Sequence, residues 1–156
     1  MEITFAPNGI LQIDNAKIAF RNFSGEGSKF NREGDRNFAV VIPTEEMADQ
    51  LVADGWNVKI KAPREEGDEP FMFLPVKVKF NGRGPHIYVQ TGAALNQISE
   101  ERVGEIDDLD ISSVDLDVRP YEWDVNGKVG RTAYLRSMKV VQNIDRFAAE
   151  YYGNRE

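Results

Sequence analysis

Apolar and polar residues alternate with a period of two along much of the chain, a spacing that predicts strands. In "FMFLPVKVKFN" (71–81), Val76, Val78 and Phe80 oppose Lys77 and Lys79. In "WNVKIKAP", Val58 and Ile60 oppose Lys59 and Lys61. "ILQIDNAKIAFRNF" (10–23) alternates in its second half, with Ile18, Phe20 and Asn22 on one face and Lys17, Arg21 and Phe23 near the other. "RNFAVVIP" (36–43) reads as a buried strand that Pro43 ends, and "PHIYVQTG" (85–92) as a shorter strand. The longest pair is "VDLDVRPYEWDVNGKVGRTAYLRSMKVVQ" (114–142), two strands joined at Asn126-Gly127, a dipeptide suited to a two-residue hairpin turn.

One segment changes to helical spacing. Thr44 can cap "EEMADQLVADG", Glu45 and Glu46 suit its positive end, and Gly55 can stop it. "FAAEYYGNRE" at the C-terminus suits a short final helix. The glycine-rich 24–35 is a long connection, and "EERVGEIDDLD" (100–110) reads as a solvated acidic loop. About seven short strands, one or two short helices and Gly- or Pro-rich turns predict a mainly β fold, a closed or nearly closed antiparallel barrel.

Composition narrows the chemistry. With 156 residues, 41% apolar and 29% charged, the chain has the make-up of an ordinary soluble globular domain. It contains no apolar run of membrane-spanning length, and its N-terminus lacks the pattern of a secretory signal. Cys is absent and His86 is the one histidine, which excludes thiol chemistry, disulfides and His- or Cys-based metal sites. The expected compartment is the cytoplasm. No nucleophile elbow, no phosphate-binding loop and no D-x-K or E-x-K pair occurs. Asp107, Asp108 and Asp110 are close in sequence but miss the calcium-loop spacing. The reading is therefore a non-enzymatic protein without a cofactor or a metal.

The net charge of −7 argues by itself against nucleic acid, but the charge is uneven. Segment 76–84 contains Lys77, Lys79 and Arg83 and no acid; segment 17–36 contains Lys17, Arg21, Lys29, Arg32 and Arg36 against Glu26, Glu33 and Asp35. Proteins that hold single-stranded nucleic acid combine a basic groove for the phosphates with exposed rings on which bases stack. The long hairpin has both devices. If its first strand is regular, Arg119, Tyr121 and Trp123 lie opposite Val114, Leu116 and Val118; on the return strand Tyr134 and Arg136 share parity. Pro120 can shift the register through a bulge, which would turn Tyr121 and Trp123 inward, and Trp123 with Tyr134 can instead form a cross-strand pair that fills the barrel end. Loop 24–35 repeats the theme with Arg21, Phe23, Lys29, Phe30, Arg32 and Arg36, with the alternative that Phe23 or Phe30 tucks beneath it. Lys77, Lys79 and Arg83 add a basic strand face, and Arg131 a further cation beside the turn.

The stretches "FRNFSG…FNREGDRNFAVVIP" and "RPYEWDVNGKVGRTAYLRSMKVV" resemble phage single-stranded DNA-binding proteins with an OB fold, over roughly residues 10–142. The resemblance implies one OB-like domain over 1–156, with its barrel core in 10–142 and a C-terminal extension at 143–156. It implies coating of single strands, cooperatively or as a homodimer, during phage DNA replication or recombination in the host cytoplasm, with phage or host replication proteins as partners. It also implies overall acidity. Such proteins often end in an acidic tail, whereas this chain ends in "AEYYGNRE". The competing class is a β-rich phage structural or assembly protein. That class accounts for an acidic β domain, but not for cations clustered with rings on particular strands.

Overall fold

The computed structural model describes residues 1–82 and 84–144. Arg83 and the C-terminal helix expected in 147–156 lie outside the described residues. The fold is mainly β. Among the described residues ten strands form one sheet: β1 (Glu2–Phe5), β2 (Leu11–Ala16), β3 (Ile18–Asn22), β4 (Arg36–Ile42), β5 (Lys59–Lys61), β6 (Phe71–Val78), β7 (His86–Thr91), β8 (Ala94–Ile98), β9 (Ile111–Val125) and β10 (Lys128–Gln142). The main path runs β1-β2-β9-β10-β6-β4-β3, with β5 added beside β6 and the β7–β8 hairpin beside β10. Only Lys17 separates β2 from β3, so the two stretches of chain near the ends of this path are nearly continuous.

The alternation does what it predicts along the centre of the sheet. Val114, Leu116 and Val118 of β9 and Leu74, Val76 and Val78 of β6 are buried, with less buried residues between them, while β4 buries Phe38, Ala39 and Val40 in succession. The two-residue turn forms with φ of 53° at Asn126 and 79° at Gly127, the left-handed pair that a twisted hairpin requires. Pro120 does not shift the register and pairs regularly with Ala133. One irregularity lies in β10, where Arg136 is left over between Leu135 and Ser137, and a second register shift falls between Val141 and Gln142. The bulge at Arg136 reverses the parity of the strand, so Ala133 and Leu135 are buried before it and Met138 and Val140 after it.

Helix α1 (Glu45–Asp54) begins as expected, with the Met47 amide donating to Thr44 Oγ1 at 3.2 Å. Gly55 ends it at φ 103°. Trp56 follows and is buried. Five expectations are corrected. The sheet is not wholly antiparallel, because β10 runs parallel to both β6 and β7. β1 and β8 are strands that the hydrophobic pattern does not reveal. β5 is only three residues long and wholly exposed. The acidic segment is not a solvated loop, because Val103–Asp108 forms a 3-10 helix that buries Val103 and Ile106 in the core. Finally, Phe20 takes a φ of 52° and turns outward, while Phe23 is buried and stacks on Phe38 with centroids 5.1 Å apart.

Candidate nucleic-acid interface

Pairing across the sheet lines up four outward residues in one transverse row. Tyr134 of β10 lies opposite Arg119 of β9 on one side and Lys77 of β6 on the other, and Lys77 lies opposite Asn37 of β4. The Arg119 guanidinium sits 4.7 Å from the centre of the Tyr134 ring. Tyr121 meets the same ring edge-on at 6.1 Å. The alternative in which Trp123 and Tyr134 form a cross-strand pair does not hold, because Trp123 pairs with Gly130. Its ring lies so close to that strand that a Cβ on Gly130 would come within 2.3 Å of it. The glycine thus lets the indole lie across β10, where Nε1 donates to Thr132 Oγ1 at 3.2 Å and about a third of the residue stays exposed.

Two depressions flank the Arg119–Tyr134 pair. One, of about 630 Å³, is lined by Phe30, Arg32, Arg36, Lys77, Lys79 and Tyr134 among others. The other, of about 280 Å³, is lined by Lys79, Arg119 and Arg136, so Lys79 borders both. Their charged lining residues are six cations, Arg32, Arg36, Lys77, Lys79, Arg119 and Arg136, against Asp35 and Glu100. The local charge is therefore opposite to the net charge of the chain. Arg36 is braced: its Nε donates to the Phe23 carbonyl at 2.9 Å and it pairs with Glu100 at 3.3 Å. The other five cations form no ion pair with a described residue.

The long connection 24–35 is built rather than loose. The Asn31 side-chain amide donates to the carbonyls of Glu26, Arg32 and Asp35 at 3.1, 3.0 and 2.8 Å. Its oxygen accepts from Asn37 of β4 at 2.7 Å. Ser28 and Asn31 exchange backbone bonds across a tight turn whose two middle residues are Lys29 and Phe30. Phe30 is consequently 91% exposed, presented at the lip of the larger depression with the Lys29 ammonium 5.8 Å from its ring. At the base of the loop the Asp107 carboxylate accepts from the amides of Phe23 and Ser24 at 2.7 and 3.0 Å. This gives Asp107 a structural task rather than a place in a carboxylate cluster.

Three of the expected binding residues sit elsewhere. The Phe23 ring belongs to the core. Arg21 is half-buried and donates to the carbonyls of Ile106 and Leu109 at 2.8 and 2.7 Å, fastening the 3-10 helix. Arg131 lies on the opposite face of the hairpin. It bonds Glu122 at 2.5 Å and the Asp54 carbonyl at 2.6 Å, and it covers the Trp56 ring at 4.9 Å. No basic residue stands in the last turn of α1, so Arg131 supplies the cation at that negative end from another element.

The structure also adds an aromatic group that the sequence reading did not select. Phe20, 55% exposed, packs edge-on against Phe71 and Phe73 at 5.8 and 5.3 Å, and the Lys61 ammonium lies 5.9 Å from the Phe20 ring. Phe71 and Phe73 have the parity of Lys77 on β6 and of Lys79 just past its end, a signal present in "FMFLPVKVK". The outward turn of Phe20 has no such signal.

Residues 3–153 match the family described as "Putative phage ssDNA-binding domain". No curated protein matches the chain in sequence. Among solved structures, it is similar to the single-stranded DNA-binding protein from bacteriophage Enc34 in complex with ssDNA, with a TM-score of 0.58 and 12% identity over 93% of each chain. The C-terminal truncation of that bacteriophage Enc34 protein aligns with a TM-score of 0.58 and 10% identity over 90% of each chain. At these identities the likeness is one of fold. The family match spans nearly the whole sequence, and the chain belongs to the phage ssDNA-binding domain family.

Proposed function

We propose that this protein binds single-stranded DNA without sequence preference, on the outer face of β9, β10, β6 and β4, beneath loop 24–35. The observation that carries the reading is the transverse row Arg119–Tyr134–Lys77–Asn37, set between two depressions whose lining is six cations to two acids. Phosphates follow Arg32, Lys77, Lys79, Arg119 and Arg136, with Arg36 as a braced contributor. Bases stack on Phe30, Tyr134, Tyr121 and Trp123. From Lys77, β6 continues for six residues, roughly 20 Å at a strand rise of about 3.3 Å per residue. It ends at Phe73, Phe71 and Phe20, a further platform on the same face. Phe23, Arg21 and Arg131 have structural duties in this scheme.

The wider reading is an OB-like barrel in 10–142, closed through the near-continuity of β2 and β3, with an extension from 143. It acts by binding rather than by catalysis. Its setting is phage DNA replication or recombination in the host cytoplasm, as a homodimer in contact with phage or host replication proteins. Among the described residues no helix is long and apolar enough to cross a membrane.

The test is a titration with oligo-dT and with a duplex of equal length. Single strands should bind more tightly, because duplex bases already stack on each other. On a log-log plot the affinity should fall with salt, with a slope of roughly −2 to −3.5 for three to five phosphate contacts. Tighter binding to duplex, or no binding to either, would overturn the proposal. The second outcome would favour a β-rich phage structural protein.

A further inference from the structure

Residues 84–99 contain no Asp, Glu, Lys or Arg, in a chain where these types make up 29%. They form the β7–β8 hairpin. β7 is held between β10 and β8, but β8 pairs with β7 alone, so its outer edge is open among the described residues. Ala94, Leu95, Asn96 and Gln97 are all exposed, and Leu95 retains 56% of its surface. An open edge presents free N–H and C=O groups to any other strand, and proteins commonly guard such edges with charge. β1 carries Glu2, and the short β5 carries Lys59 and Lys61. β8, "ALNQI", has no guard of this kind.

We propose that β8 is the surface through which two copies of this chain associate, pairing antiparallel across a two-fold axis so that one sheet runs through both subunits. A second copy is the fitting occupant because an isologous contact must be complementary to itself. A strand without charge meets its own copy with no like-charge contact. That condition is demanding for a protein with a net charge of −7, whose acidic surfaces repel their copies. A five-residue strand overlaps itself most fully about its middle residue. The axis therefore passes at Asn96, with Leu95 beside the partner's Gln97 and Ala94 beside the partner's Ile98. This deepens the homodimer part of the proposed function. It does not depend on DNA, since residues 94–98 line neither depression.

The experiment is analytical ultracentrifugation of the full chain over a wide concentration range. The wild type should reach twice the 17.6 kDa chain mass. Asn96→Lys and Asn96→Glu each place like charges opposite one another at the axis, and each alone should raise the dimer dissociation constant by about tenfold or more. Mixing the two variants in equal amounts should restore the dimer, because Lys then faces Glu; recovery also shows that both variants are folded. A wild type that stays monomeric, a dimer that survives both substitutions, or a mixture that does not recover overturns the proposal. Failure of the wild type to bind oligo-dT would remove the nucleic-acid reading and leave this one standing.

Discussion

Arg119 lies 4.7 Å from the Tyr134 ring, and Arg131 lies 4.9 Å from the Trp56 ring. Both arginines belong to the same hairpin, and both cover an aromatic face. Around Arg131, however, two acidic residues converge: Glu122 at 2.5 Å and the Asp54 side chain at 3.7 Å. Trp56 beneath it is 3% exposed. This pair is a clamp that pins the hairpin to the end of α1. Around Arg119 no carboxylate of a described residue closes in, and its ring borders an open depression. The comparison teaches that an arginine beside a ring is ambiguous in sequence. What separates a structural clamp from a candidate ligand surface is whether the charge is already answered from within the protein.

The largest effect should come from the clamp. Trp56→Ala empties a buried aromatic site and should cost about 3–5 kcal/mol of stability, read as an early thermal transition. The protein that remains folded should bind oligo-dT normally; weakened binding there would mean that the two regions are not separate. Next comes Phe30→Ala. Its ring touches little of the protein, so the melting temperature should hold while oligo-dT affinity falls by about 1–3 kcal/mol. Unchanged affinity would remove Phe30 from the interface. The finest test sets the two arginines side by side. Arg131→Ala should lower stability by about 1–2 kcal/mol through lost charge-assisted hydrogen bonds and leave the salt slope alone. Arg119→Ala should leave melting nearly unchanged and make the salt slope less steep by about 0.7, the share of one phosphate. If the two substitutions traded effects, the assignment of clamp and contact would be reversed.

Much of this was legible in the sequence where local rules dominate. The alternation in β9, the Asn126-Gly127 turn, the Thr44 cap and the Gly55 stop each need only neighbouring residues. The basic lining of the depressions was legible as well, since Lys77, Lys79, Arg119 and Arg136 take outward positions that strand parity assigns. Strand β8 was hidden because an exposed, uncharged edge has no apolar alternation to display. The 3-10 helix was hidden because its acids masked Val103 and Ile106, whose spacing of three is the mark of a buried stripe. Phe20 and Phe23 exchanged expected roles because one left-handed residue breaks the period, and nothing local announces it. Arg131 read as a ligand contact because its partner Asp54 is 77 residues away.

The Asn31 amide, by gathering three loop carbonyls, settles what the loop must do when a ligand arrives. Ordering a segment on binding subtracts from affinity, and a segment already ordered is spared that cost. Phe30 is thus delivered in place rather than found by search. In kinetic terms the proposed interface should act as a preformed receptor. Under the proposed function, encounter steered by the cations should govern arrival and carry the dependence on salt, while the rings should govern residence time.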